Sequence, residues 1–160
     1  DALGKAHNYA RPHGVGSAPA AGQNATILGL IGELLRPYKM EGRDRIIIEG
    51  DDGPLNVHAS TPLSLAVHEL ATNAAKYGAF STQEGQVRVR GEHADGTYHL
   101  TWQESGGPPV KEPAHFGFGS RLVDVSLKNQ LQGKLMREWR PEGLEVRLLV
   151  PAAMIEAASS

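Results

Sequence analysis

The hydrophobic periodicity of the chain turns from mainly helical to mainly period two at Gly78, and that change limits the folds open to it. Before Gly78 apolar residues recur at helical spacing: Ile27, Leu28, Leu30, Ile31, Leu34 and Leu35 in one segment, closed by Pro37, then Leu63, Val67, Leu70, Ala71 and Ala74 in another. After it the period is two. "QVRVRGE" and "TYHLTWQE" read as strands joined by "HADG", and "KLMREW" and "LEVRLLV" as strands joined by "RPEG". In the last of these Leu144, Val146, Leu148 and Val150 share one face, so it is expected to be half buried. A helix is predicted over 120–130, between the hairpins, and "RIIIEG" reads as a short strand followed by a turn at "DDGP". The second helix is predicted to open at "STP", with Ser60 or Thr61 as cap and Pro62 in its first turn, and to stop at Gly78. Helices and hairpins in this order imply an α+β fold, a two-layer sandwich with a mixed sheet covered on one face by helices.

Composition narrows the function classes. The 160 residues suit one domain, and a formal net charge of −2 with interspersed signs argues against a nucleic-acid partner. With no cysteine there is no disulfide framework and no thiolate metal site. "RLLV" and "ILGLI" are too short to span a bilayer. The chain starts at Asp1 without a methionine, and we expect a fragment of something longer. "DALGKAHNYARP" reads as a short helical stub and "HGVGSAPAAGQN" as a Gly/Ala/Pro-rich linker.

The helix carrying "HELATNAAKYG" has a second stripe beside its core face. At about 100° per residue, Glu69, Asn73, Lys76 and Tyr77 line up on one ridge. Hard cations such as Mg²⁺ take oxygen ligands while sharing phosphate oxygens, so Asn73 is the candidate metal ligand. Lys76 would supply a point charge for phosphates, and Glu69 could hold a water or accept a proton. The bland alternative is a solvated ridge of ordinary surface charges. A zinc-protease H-E-x-x-H reading fails because its second histidine would fall on Thr72. His68 points away from the ridge and is read as a hydrogen-bonded structural histidine.

Three more stretches follow: "TWQESGG", "GFGSRL" and "EGLEVRLLVP". Together with "HELATNAAKYG" they resemble the ATP-binding catalytic domain of sensor histidine kinases, within the superfamily that includes gyrase and the heat-shock chaperones. The similarity runs from about Ile27 to Pro151 and is nearest the HWE family, at His68, Trp102 and Glu104. It implies Mg²⁺ and ATP as cofactors and Glu69, Asn73 and Lys76 as catalytic residues. Nucleotide contacts are expected from Asn73, Lys76, Tyr77, Glu104, Gly106, Gly107, Gly117, Gly119 and Ser120. Glu104 would accept from the adenine amino group, and Trp102 would pack in the core. Gly106 and Gly107 would let the backbone approach the base, and Gly117 and Gly119 would open a phosphate-binding helix. Ser120 would add a hydroxyl there or cap the helix, and 105–116 would form a lid.

The resemblance divides the chain into the end of an upstream dimerisation helix plus linker (1–24), the catalytic domain (25–153) and a C-terminal tail (154–160). Two departures matter. Leu144 follows Gly143 where a threonine is frequent, so no contact is carried over there. Neither His7 nor His13 has a phosphoacceptor-like setting, so the acceptor histidine is expected on a separate dimerisation domain. The implied partners are that domain and a response regulator receiver domain, in a cytoplasmic, homodimeric parent whose isolated catalytic domain is monomeric. The competing readings are a superfamily ATPase or anti-sigma-type serine kinase with Glu69 as base, and a nucleotide-binding module without transfer.

Overall fold

The computed structural model describes residues 25–113 and 117–158; the stub and linker expected over 1–24 lie outside them. Helix α1 (Ile27–Leu35) starts at Thr26, whose Oγ1 accepts from Gly29 N–H at 3.0 Å, while Asp52 Oδ1 accepts from Leu28 N–H at 2.9 Å. Two of the orphan donors of the first turn are thereby satisfied. Pro37 stands in a short 3₁₀ turn (Arg36–Tyr38) that ends the helix. Strand β1 (Ile46–Gly50) follows, then helix α2 (Ser60–Tyr77).

The start of α2 differs from the expectation. Neither Ser60 nor Thr61 caps it, because a 3₁₀ turn (Val57–Ala59) runs straight into the helix. Asn56 caps that turn instead, its Oδ1 accepting from His58 N–H, and Ser60 Oγ donates back to Val57 O at 2.8 Å.

Beyond α2 come a 3₁₀ turn (Ala79–Ser81), β2 (Gln86–Ala94), β3 (Thr97–Ser105), α3 (Phe118–Leu131), β4 (Lys134–Arg140), β5 (Gly143–Pro151) and α4 (Ala152–Ile155). The sheet order is β1-β2-β3-β5-β4, with β1 parallel to β2 and every other pair antiparallel. The parallel pair follows from α2, which crosses over between its two strands. Asp95 and Gly96, both at positive φ, turn the β2–β3 hairpin tightly.

Period-two alternation sorts the sheet into two faces. Val87, Val89, Tyr98, Leu100, Trp102, Val146, Leu148 and Val150 are buried against the inner sides of α1, α2 and α3. Trp102 sits between Val89 on β2 and Val146 on β5. The sandwich expected from the sequence is therefore the one observed. The segment expected as a tail from Met154 is part of this body: Ile155 is fully buried and Glu156 pairs with Leu55. No helix among the described residues is long and apolar enough to cross a membrane.

Candidate nucleotide-binding cleft

A cleft of about 500 Å³ opens between α2, α3, the segment 109–113 and the ends of β3, β4 and β5. On the α2 side Glu69, Asn73 and Tyr77 line it, joined by Gly78 and Glu104 at one end and by Gly117 and Ser120 at the start of α3. The predicted ridge and the predicted carboxylate thus meet in one place, although 31 positions separate Asn73 from Glu104 in the chain.

Within the ridge, orientation is fixed by hydrogen bonding. Asn73 Nδ2 donates to Glu69 Oε2 at 3.0 Å. That bond spends the donor end of the amide and leaves Asn73 Oδ1 as the acceptor, the end a hard cation needs. Ser120 Oγ also donates to Glu69 Oε2, at 3.4 Å, so this hydroxyl joins α3 to α2 and caps nothing. Gly119 makes the approach possible, since a Cβ there would stand 2.3 Å from Glu69 Oε1. The first turn of α3 has no side-chain cap, so its N–H groups are available to an anion.

At the other end Glu104 is 6% exposed and held from two sides. Ala79 N–H donates to its Oε1 and Trp102 Nε1–H to its Oε2, each at 3.0 Å. Burial pushes this carboxyl above its ordinary range, and the two donors pull it partly back. Each oxygen retains a lone pair for a further donor. Gly78 makes room for it, because a Cβ there would lie 2.1 Å from Glu104 Oε1. The glycine needed to end α2 is therefore also the glycine that admits the carboxylate.

Several expectations on individual residues change. Lys76 is exposed and does not line the cleft, its long stem leaving the ammonium hydrated at the end of α2. Lys111 and Arg137 are the basic side chains that do line it. Gly106 and Gly107 pack behind the wall: Gly106 has φ +75° and accepts from Thr82 Oγ1 through its carbonyl, and a Cβ on Gly107 would stand 2.9 Å from Ala79 N. They permit the close approach of β3 to the Gly78–Ser81 turn rather than lining the cleft. Tyr77, 69% exposed, stands at the rim. Trp102 packs in the core, 3% exposed, and in addition positions Glu104. The ring of His68 has no hydrogen-bond partner among the described residues, and burial lowers its pKa against the opposing effect of Glu69. No histidine among the described residues lines the cleft.

Leu135, Arg137 and Trp139 on β4 and Leu144 on β5 form the wall that was not anticipated. Their alternation in "KLMREW" carried the signal, because a period of two places 135, 137 and 139 on one face. Leu144, set aside as carrying no contact, lies opposite Trp139 and lines the cleft. Asp124 on α3 holds Arg137 through both carboxylate oxygens, at 3.0 and 3.2 Å.

No protein-family model matches the chain. It is 36% identical over 126 residues to the blue-light-activated histidine kinase 1 of Erythrobacter litoralis, matching 76% of this chain and 34% of that protein. The solved histidine kinase domain of an E. litoralis blue-light-activated kinase superposes with a TM-score of 0.66 at 22% identity, covering 95% of this chain and 70% of that one. The catalytic domain of the histidine kinase ThkA gives 0.60 at 16% identity, covering 78% and 90%. The chain is thus similar in sequence to blue-light-activated histidine kinases and shares the fold of histidine kinase catalytic domains. It spans 34% of the length of the E. litoralis kinase 1 and 27% of the length of the blue-light-activated histidine kinase of Brucella ovis, to which it is 35% identical.

Proposed function

We propose that the cleft binds Mg·ATP and presents the γ-phosphoryl to a histidine carried on a separate dimerisation domain. The observation that carries this reading is the pair of poised acceptors in one cleft, Asn73 Oδ1 freed by Glu69 and Glu104 clamped by two N–H donors. The donor fits Mg²⁺ shared with phosphates because Asn73 Oδ1 is a hard, neutral oxygen facing the cleft. Asn73 is the protein ligand in this reading, and Glu69 is its positioning group. When bound, the metal neutralises charge on the phosphate oxygens.

Glu104 accepts from the exocyclic amino group of adenine, Tyr77 flanks the nucleotide at the rim, and the open first turn of α3 meets the phosphates. Lys111 replaces Lys76 as the lysine facing the cleft. In the transfer the bond from γ-phosphorus to the bridging oxygen breaks as a bond to an imidazole nitrogen forms. ADP leaves, and the proton on the other ring nitrogen passes to solvent, leaving a neutral phosphoimidazole. The chain's task is positioning, because little covalent chemistry falls to the protein in such transfers.

The partners inferred are the phosphoacceptor domain of a homodimeric parent and a receiver domain of a response regulator, in the cytoplasm where ATP is available. A second reading, ATP hydrolysis or transfer to a hydroxyl with Glu69 as base, is favoured by the place of Glu69 in the cleft. Labelling with γ-labelled ATP separates the two. The 160-residue chain alone should stay unlabelled, and phosphoacceptor helices supplied in trans should gain acid-labile label. Rapid phosphate release without any label would favour the second reading, and stoichiometric label on His7, His13 or His68 would contradict a separate acceptor.

A further inference from the structure

Arg45, just before β1, is 7% exposed, and its Nε has no hydrogen-bond partner. No carboxylate pairs with it among the described residues. A buried guanidinium without an acid is costly, so the contacts it does make carry weight. Its Nη2 donates to Ala79 O at 3.2 Å and to Thr82 O at 2.8 Å, and its Cζ lies over the Phe80 ring, 5.0 Å from the centroid. Arg45 therefore grips the turn after α2 at three places, Ala79, Phe80 and Thr82.

With its other side the same turn backs the wall of the cleft, where Glu104 stands. Ala79 N–H holds Glu104 Oε1, and Thr82 Oγ1 holds the Gly106 carbonyl at 2.9 Å. Phe80, under the guanidinium, meets Trp102 edge-on at 6.4 Å, and Trp102 gives Glu104 its second donor. Tyr38 stacks on the same Phe80 ring at 5.1 Å and closes the cluster. Both donors that hold Glu104 thus rest on groups that Arg45 touches or backs.

We propose that Arg45 is a positioning residue that sets the base selectivity of the cleft, by fixing the 79–82 turn and through it the Glu104 carboxylate. This rests on the reading of Glu104 as the acceptor for the purine 6-amino group. Lysine is an incomplete substitute: an ammonium can reach the carbonyls as a point charge but cannot lie flat on Phe80.

The test is the ratio of affinities for ATP and inosine triphosphate, which carries an oxo group at the 6-position, measured on the 160-residue chain as wild type, Arg45→Lys and Arg45→Met. Wild type should prefer ATP. Arg45→Met should lose about tenfold in ATP affinity with little change for inosine triphosphate, so the ratio collapses, and Arg45→Lys should fall between. Circular dichroism establishes that each variant is folded; should Arg45→Met not fold, the ratio for Arg45→Lys decides alone. A wild-type ratio in the folded variants, or equal losses for both nucleotides, would overturn the proposal by making Arg45 merely structural. A wild-type chain indifferent to the 6-amino group would instead overturn the reading of Glu104, and the proposal with it.

Discussion

Asn73→Ala should weaken Mg·ATP binding by at least about 100-fold while leaving the fold nearly intact. Outer-shell changes at metal sites already cost about 10–100-fold, and Asn73 is the ligand itself in this account. The side chain is half-buried on a cleft wall and its one bond is to Glu69, so its loss opens no core cavity. The substitution also frees Glu69 from its partner one turn along the helix. Thermal melts with and without Mg·ATP read both effects. The variant should melt near the wild-type temperature without ligand and show almost no ligand-induced shift. A shift equal to that of wild type would remove Asn73 from the site.

Glu104→Ala should cost about 10- to 100-fold in ATP affinity, and the loss should be specific to the base. An unmet buried hydrogen-bonding group costs about 1–3 kcal/mol, which converts to that range. The adenine amino group would lose its acceptor, whereas a 6-oxo purine loses nothing and should bind the variant about as well as ATP does. Burial first of all, and the two N–H donors in the opposite sense, set the pKa of this carboxyl above its ordinary value. Its charged, fully accepting form is therefore lost as pH falls through that raised value. ATP affinity of the wild type should fall over that window, and the variant should lack this component. Competition titrations with ATP and GTP across pH measure it. A wild-type preference for ATP that survives the substitution would make Glu104 structural.

What could be read from the sequence was local in period. The ridge of Glu69, Asn73 and Tyr77 follows from helical geometry, and the inward Trp102 and Glu104 follow from alternation along one strand. Both kinds of information lie within a few residues of one another. Contacts that join distant segments were not legible. Arg45 meets Ala79 and Thr82 across 34 and 37 positions, and an arginine in "GRDRIII" carries no sign of burial. The tether of Ser120 to Glu69 spans 51 positions and required both helices to be placed first.

Other differences come from side-chain reach and from shared walls. Lys76 has the right phase on α2, but a flexible stem near the helix end keeps its ammonium in water. Gly106 and Gly107 were read for closeness to a base, whereas the backbone they approach is that of the protein itself. Leu144 reads in the sequence only as part of a half-buried strand face, and nothing is read into Leu135 or Trp139; the gap between the helix layer and the last hairpin makes all three a cleft wall.

The most direct measurement is calorimetric titration of the 160-residue chain with ATP, in the presence of Mg²⁺ and again with the metal chelated. The account predicts saturable one-to-one binding that depends on Mg²⁺ and favours ATP over GTP. No binding of ATP with Mg²⁺ present, or binding indifferent to both metal and base, would contradict it.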